Sequence, residues 1–195
     1  MILKKLKLPT RLMPYSGIIY FIVILIVSHF LWKFTVLGDE SDTIVTFFGL
    51  DISAPFSFMA DHVFKMVKYI LTMFGYDIIG EPGNILRHEN GNAVRIVWAC
   101  TGIKQAYIFF CIIAFYRGPF KTKLWYIPLG IAVTYLFNIF RISVITGLVQ
   151  NHFNLFDLVH EHIFKYLFYG LIFGMWVLWE EKVSRPHKKE SVKTV

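Results

Sequence analysis

Charge is scarce in this chain. Of its 195 residues only 17% are Asp, Glu, Lys or Arg, against 56% hydrophobic and 18% aromatic. Mean hydropathy is +0.55, and the apolar residues gather into long runs, which excludes an ordinary soluble domain. Cysteine is scarcer still. Cys100 and Cys111 stand eleven residues apart, and on one helix that spacing is about 16 Å of rise, so they cannot bridge each other there. Cys111, among Phe109, Phe110, Ile112 and Ile113, reads as a packing residue. No internal repeat or low-complexity tract interrupts the pattern, and no small-x-small cleavage site follows the first apolar run. That run, 15–36, sits behind Lys4, Lys5, Lys7 and Arg11 and reads as an uncleaved anchor rather than a removed signal.

What is present is a set of apolar runs of membrane-crossing character. Expected crossings are 15–36, 99–116, 124–148 and 161–179, with 38–98 outside the membrane and 180–195 a cytoplasmic tail, all in one membrane domain, 1–195. Within 38–98, residues 58–74 alternate apolar and charged positions at helical spacing, which fits a helix lying on the membrane surface rather than crossing it. Asn90-Gly91 between two short strand-like runs predicts a β-hairpin, and a polar hairpin cannot face lipid. The expected fold is therefore an all-α polytopic membrane protein with about four transmembrane helices, an extracytoplasmic interfacial helix and a small β-hairpin.

Net charge is +7. Such a balance raises nucleic acid or anionic lipid as partners, but the positions of the charges favour topology as the cause. Four Lys or Arg precede residue 12, three lie in the turn 117–123 and five in the tail, whereas the loop 149–159 has none. The positive-inside rule then puts both termini in the cytoplasm and the hairpin outside. No nucleic-acid partner is expected.

With this topology three helices bring reactive side chains to the outer layer. Cys100 stands at the outer start of the second crossing, where helix N–H groups and the dipole favour a thiolate. Arg141 lies seventeen residues beyond Leu124, about 25 Å up the helix in a core of about 30 Å. A charge there is functional unless it snorkels to the headgroups. Asn138, three residues before it on the same face, either orients Arg141 or makes a helix–helix contact. His160 and His162 open the fourth crossing. They are two apart and do not face together, and no third ligand is apparent, so neither a metal nor another cofactor is expected. Lys104, one turn after Cys100, is either a supporting charge for a thiolate or a snorkelling lysine.

Ala99-Cys100-Thr101-Gly102 after a strand-like segment, Asn138-Ile139-Phe140-Arg141 in a later helix and the histidine pair opening the last helix together resemble the exosortase/archaeosortase family. The likeness covers roughly residues 75–179 and is closest to the short exosortases of Bacteroidetes-type bacteria; Thr101 departs from the Ser often found after the family's cysteine. The resemblance implies a membrane-embedded cysteine protease/transpeptidase of the bacterial inner membrane, with its site facing the periplasm. Cys100 would form a thioester, Arg141 would stabilise negative charge, and His160, with His162 as the alternative, would move protons. Its partners would be exported proteins carrying a C-terminal motif, hydrophobic helix and basic tail, a lipid or glycan acceptor, and membrane lipids. Two other classes stay open on the residues alone. One is a non-enzymatic envelope-assembly membrane subunit in which Cys100 and Arg141 only pack. The other is a small anion- or lipid-handling membrane protein that uses Arg141 as an anion site.

Overall fold

The computed structural model describes residues 15–38, 44–151 and 158–184. The basic segment before residue 12, most of the loop 149–159 and the tail beyond 184 lie outside the described residues.

The first long apolar run forms α1, Ser16–Thr35. A small antiparallel sheet follows, of strands β1 (Val36–Leu37), β2 (Thr46–Phe47) and β3 (Leu50–Asp51). Next comes α2, Ser53–Met73. Its start is fixed by Ser53, whose hydroxyl donates to Asp51 Oδ1 at 2.5 Å and accepts the Val45 N–H at 2.8 Å. Phe56, Ala60, Val63, Val67 and Leu71, spaced three or four apart, form its buried face. That face packs on α4 (Phe120–Asn151) and on the turn that carries Cys100.

The expected Asn90-Gly91 hairpin is present, with Gly91 in the left-handed region at φ +90°. It joins β5 (Ile85–His88) to β6 (Ala93–Arg95), and β4 (Ile78–Glu81) adds a third antiparallel strand. The chain is thus mostly helical rather than all-α: two three-stranded sheets accompany the helices. Arg87 Nε and Nη2 donate to the two oxygens of Glu81 at 2.6 and 3.0 Å, pinning the β4–β5 register. These bonds hold the Glu81 carboxyl below its usual range.

Beyond the hairpin come a 3₁₀ turn, Trp98–Thr101, and α3, Ile103–Phe115. After α4 comes α5, Phe164–Trp179, extended by π-helical turns at Leu158–Ile163 and Glu180–Ser184. Among the described residues two helices, Ser16–Thr35 and Phe120–Gln150, are long and apolar enough to cross a membrane, and the shorter Ile103–Phe115 is also apolar. The main core lies between α1, α3 and α5, where Phe109, Ile112, Ile113 and Trp179 are buried. Helix α4 approaches α3 closely: a Cβ on Gly130 would stand 2.0 Å from Phe109 Cζ. At one end of the bundle Lys123 Nζ donates to the Ala114 and Tyr116 carbonyls, closing the α3 C-terminus.

The opposite end is held by the hairpin. His88 Nε2, on a side chain 1% exposed, bonds the Thr146 carbonyl at 2.8 Å. Asn92 Nδ2 donates to the Val149 carbonyl at 2.9 Å, and Asn90 Nδ2 donates to the Gln150 carbonyl. Carbonyls in the last turn of a helix lack intrahelical partners, so the asparagines serve as a cap supplied by the hairpin. They also set the height of α4 against β6, the strand that leads to Cys100.

Candidate active site

Cys100 is half-buried and lies in the 3₁₀ turn rather than in the first turn of α3. Its N–H donates to the Val97 carbonyl at 2.9 Å. Between the turn and α3 stands Gly102 at φ +77°, a conformation costly for any residue with a Cβ. A Cβ there would also lie 3.0 Å from Asn138 Cγ. Glycine is therefore required at 102 for two separate reasons. Thr101 shapes the same corner: its hydroxyl donates to the Trp98 carbonyl at 2.7 Å and accepts the Ile103 N–H at 3.4 Å. A serine hydroxyl could make both contacts, so the Thr101 departure leaves this local geometry intact.

Asn138 is 0% exposed, and its Nδ2 donates to the Cys100 carbonyl at 2.8 Å. Apart from the two roles the sequence left open for it, Asn138 is tied directly to the cysteine turn. Arg141, three residues on, has the Cys100 thiol as its electrostatic neighbour. Its Nε is buried and meets no hydrogen-bond partner among the described residues. One helix thus contributes both the side chain that fixes the Cys100 backbone and a cation within electrostatic reach of the thiol.

Asn138→Ala would remove the 2.8 Å bond to the Cys100 carbonyl, at a cost of about 0.5–1.5 kcal/mol. It is expected to lower the unfolding midpoint by several degrees in detergent and to slow alkylation of Cys100 relative to Cys111-blocked wild type. An unchanged midpoint and alkylation rate would show that the bond positions nothing.

Arg141 also lines a cavity of about 500 Å³ between α1, α3, α4 and α5, together with Lys104 and His162. Three of the six residues singled out from the sequence therefore share one cavity. Cys100 is not among its lining residues; it packs against the hydrophobic cluster that α2 and α4 build around Val63, Val67 and Ile139. The side chain of His160 lies outside the described residues, although its backbone falls in the π-helical turn Leu158–Ile163. Lys104 reaches a second cavity of about 380 Å³, bordered by Trp98, Ala99 and Thr101. Among the described residues no three His, Cys, Asp or Glu side chains gather as a metal site would need.

Sequence reasoning passed over His29, Gln105 and Lys165, which border the same cavity as Arg141. The signals were available. His29 interrupts an apolar membrane helix, and Lys165 follows His162 by three residues, on one helical face. Tyr169 hydroxyl contacts His29 Nδ1 at 3.4 Å, which shows α1 and α5 meeting across this space.

Residues 43–179 match the family model described as Transmembrane exosortase (Exosortase_EpsH). Over 139 residues the chain is 25% identical to Archaeosortase A of Haloferax volcanii, an alignment that takes in 67% of this chain and 45% of that protein. The chain therefore spans less than half the length of this curated relative. No solved structure matches it. The matched stretch covers well over half the chain and runs from before α2 to the end of α5, taking in the cysteine turn, Asn138, Arg141 and both histidines. The chain belongs to the transmembrane exosortase family.

Proposed function

We propose that the protein is a membrane-embedded cysteine transpeptidase that cuts C-terminal sorting signals from exported proteins and passes the new carboxyl end to a surface acceptor. The observation that carries this reading is the 2.8 Å bond from Asn138 to the Cys100 carbonyl, made by the helix that also carries Arg141. Family membership supplies the substrate class. The Lys and Arg distribution supports four crossings with both termini cytoplasmic, and an outer-facing site in the bacterial inner membrane.

In this mechanism the Cys100 thiolate attacks the scissile carbonyl carbon. A C–S bond forms and the carbonyl oxygen becomes an oxyanion. Arg141 cannot serve as a base, because a guanidinium keeps its proton in proteins. It stabilises the thiolate and then the oxyanion. The C–N bond breaks as a histidinium protonates the leaving amine, which leaves a thioester on Cys100 and a neutral imidazole. An acceptor hydroxyl or amine then attacks the thioester, its proton passes to the imidazole, and the C–S bond breaks to restore the thiolate.

The proton carrier belongs to the His160/His162 pair. The family-like motif points to His160; the cavity shared with Arg141 favours His162. His162→Ala is expected to cut processing by about 100-fold and His160→Ala by less than 10-fold, in the range typical of acid–base groups. The measurement is the size shift of a tagged substrate in cells at matched enzyme level. The reverse order would assign the role to His160, and full processing by both variants would remove histidine from the mechanism.

A further inference from the structure

The cavity beside Arg141 holds more positive charge than thiol chemistry requires. Lys104 enters it from α3, Arg141 from α4 and Lys165 from α5, with His29 and His162 on the same walls. Lys33, on α1, acts electrostatically on both His29 and Lys104, and Lys165 does the same, so these cations share one field. Among the described residues no carboxylate lines the space, and none pairs with Lys104, Arg141 or Lys165. The chain's described ion pair, Arg87 with Glu81, lies away from it in the β4–β5 sheet. Like charges brought together repel one another, a cost that a matching anion removes.

The shape of the cavity indicates what kind of anion. At about 500 Å³ it is large enough for a small-molecule ligand. Three cations from three different helices suit a group with several charged oxygens, such as phosphate, better than a carboxylate, which one arginine fork already satisfies. The walls also change character along the helices. Ile108 lies one turn beyond Lys104, and Phe168 and Ile172 lie one and two turns beyond Lys165. A polar, cationic end thus gives way to an apolar one, the profile of a headgroup joined to acyl chains.

We propose that this cavity binds a phosphate group, held by Lys104 and Lys165 beside Arg141, and that the phosphate is carried by a membrane lipid. The inference goes beyond the transpeptidase reading and does not rest on it. Binding itself needs no bond to be made or broken.

The test is thermal unfolding of the full chain in neutral detergent, as wild type and as Cys100→Ala, with dioctanoyl phosphatidylglycerol as the probe. A rise of about 5 °C or more is expected in both proteins at probe concentrations about 100-fold above Kd. Dioctanoylglycerol, which lacks the phosphate, is expected to give none. Lys104→Gln/Lys165→Gln keeps the apolar stems and removes two mutually repelling charges. It is expected to unfold no lower than wild type without probe and to lose the shift, while Lys65→Gln/Lys68→Gln on α2 keeps it. Lys165→Gln alone is expected to weaken the apparent affinity about tenfold. A full shift in the Lys104/Lys165 double variant, or an equal loss in the Lys65/Lys68 control, would overturn the site. Inorganic phosphate matching the lipid at equal concentration would assign the site to the free ion and overturn the lipid. Because Cys100→Ala is read alongside wild type, absent binding would leave the cleavage mechanism standing, and absent cleavage would leave the phosphate site standing.

Discussion

Arg141→Lys, which keeps the charge, is expected to reduce processing of a sorting-signal substrate by about 100-fold, the scale of losing one oxyanion donor. Lysine carries a compact ammonium on a flexible stem and cannot present the planar, two-pronged donor set of a guanidinium. At this position the difference has structural reasons to matter. Arg141 Nε is buried, and the same side chain lies near the Cys100 thiol while lining the cavity with Lys104 and His162. A side chain serving two neighbours at once needs donors that diverge at fixed angles. Processing near the wild-type rate would instead mean that charge alone suffices, as for an arginine that only reaches toward headgroups.

Cys100→Ser is expected to insert and fold normally yet leave the substrate's C-terminal signal attached. The hydroxyl is nearly isosteric with the thiol but far less ionised at neutral pH. Loss of a nucleophile costs on the order of 10⁶ in turnover in a well-characterised hydrolase, so no cleaved product should be visible. Folding should survive because what the turn requires lies outside the sulfur. It needs the Cys100 carbonyl for Asn138, the Thr101 hydroxyl and the left-handed Gly102. Cys111→Ala should process normally: Cys111 is 5% exposed in the α1–α3–α5 core, and its loss leaves only a small cavity, of about 1 kcal/mol. Matched protein levels in membranes, with the size of a tagged substrate as readout, separate the two cysteines.

Some of this was legible in the sequence for identifiable reasons. Asn90-Gly91 announced its hairpin because that dipeptide suits the backbone of a tight turn. α2 announced part of its amphipathic face because Val63, Val67 and Leu71 fall at helical spacing within 58–74, although the helix begins earlier, at Ser53. The family was legible from the cysteine, arginine and histidine stretches, and the match across residues 43–179 bears out the family. Other features carry no periodic signal. Strands of two residues, as in β1 to β3, are too short to show alternation. β4 carries Gly80 in its interior, a residue that usually lowers a strand reading. Helix α4 begins at Phe120 rather than near 124, since a proline at 119 starts a helix as readily as it ends one.

The site was legible as a list of residues but not as an arrangement. Cys100 reads as a helix-start cysteine because its neighbours toward the C-terminus are helical, whereas the backbone inserts Gly102 and a 3₁₀ turn first. Hydrogen bonds between residues 38 positions apart, such as Asn138 to Cys100, leave no trace in a local window. The same holds for His88, Asn90 and Asn92, whose contacts lie 57 to 60 residues away in α4.

The central claim is that Cys100 becomes covalently bonded to substrate, and intact-mass spectrometry of the purified full chain tests it most directly. Enzyme would be incubated in detergent with a synthetic peptide spanning a sorting signal, quenched in acid and weighed. A thioester adds the mass of the peptide's N-terminal fragment, maps to Cys100 and is released by neutral hydroxylamine. That adduct is expected in wild type and Cys111→Ala, and is expected to be absent from Cys100→Ser. Cleavage of the peptide by Cys100→Ser, or wild-type cleavage with an adduct on no cysteine, would contradict the proposed chemistry.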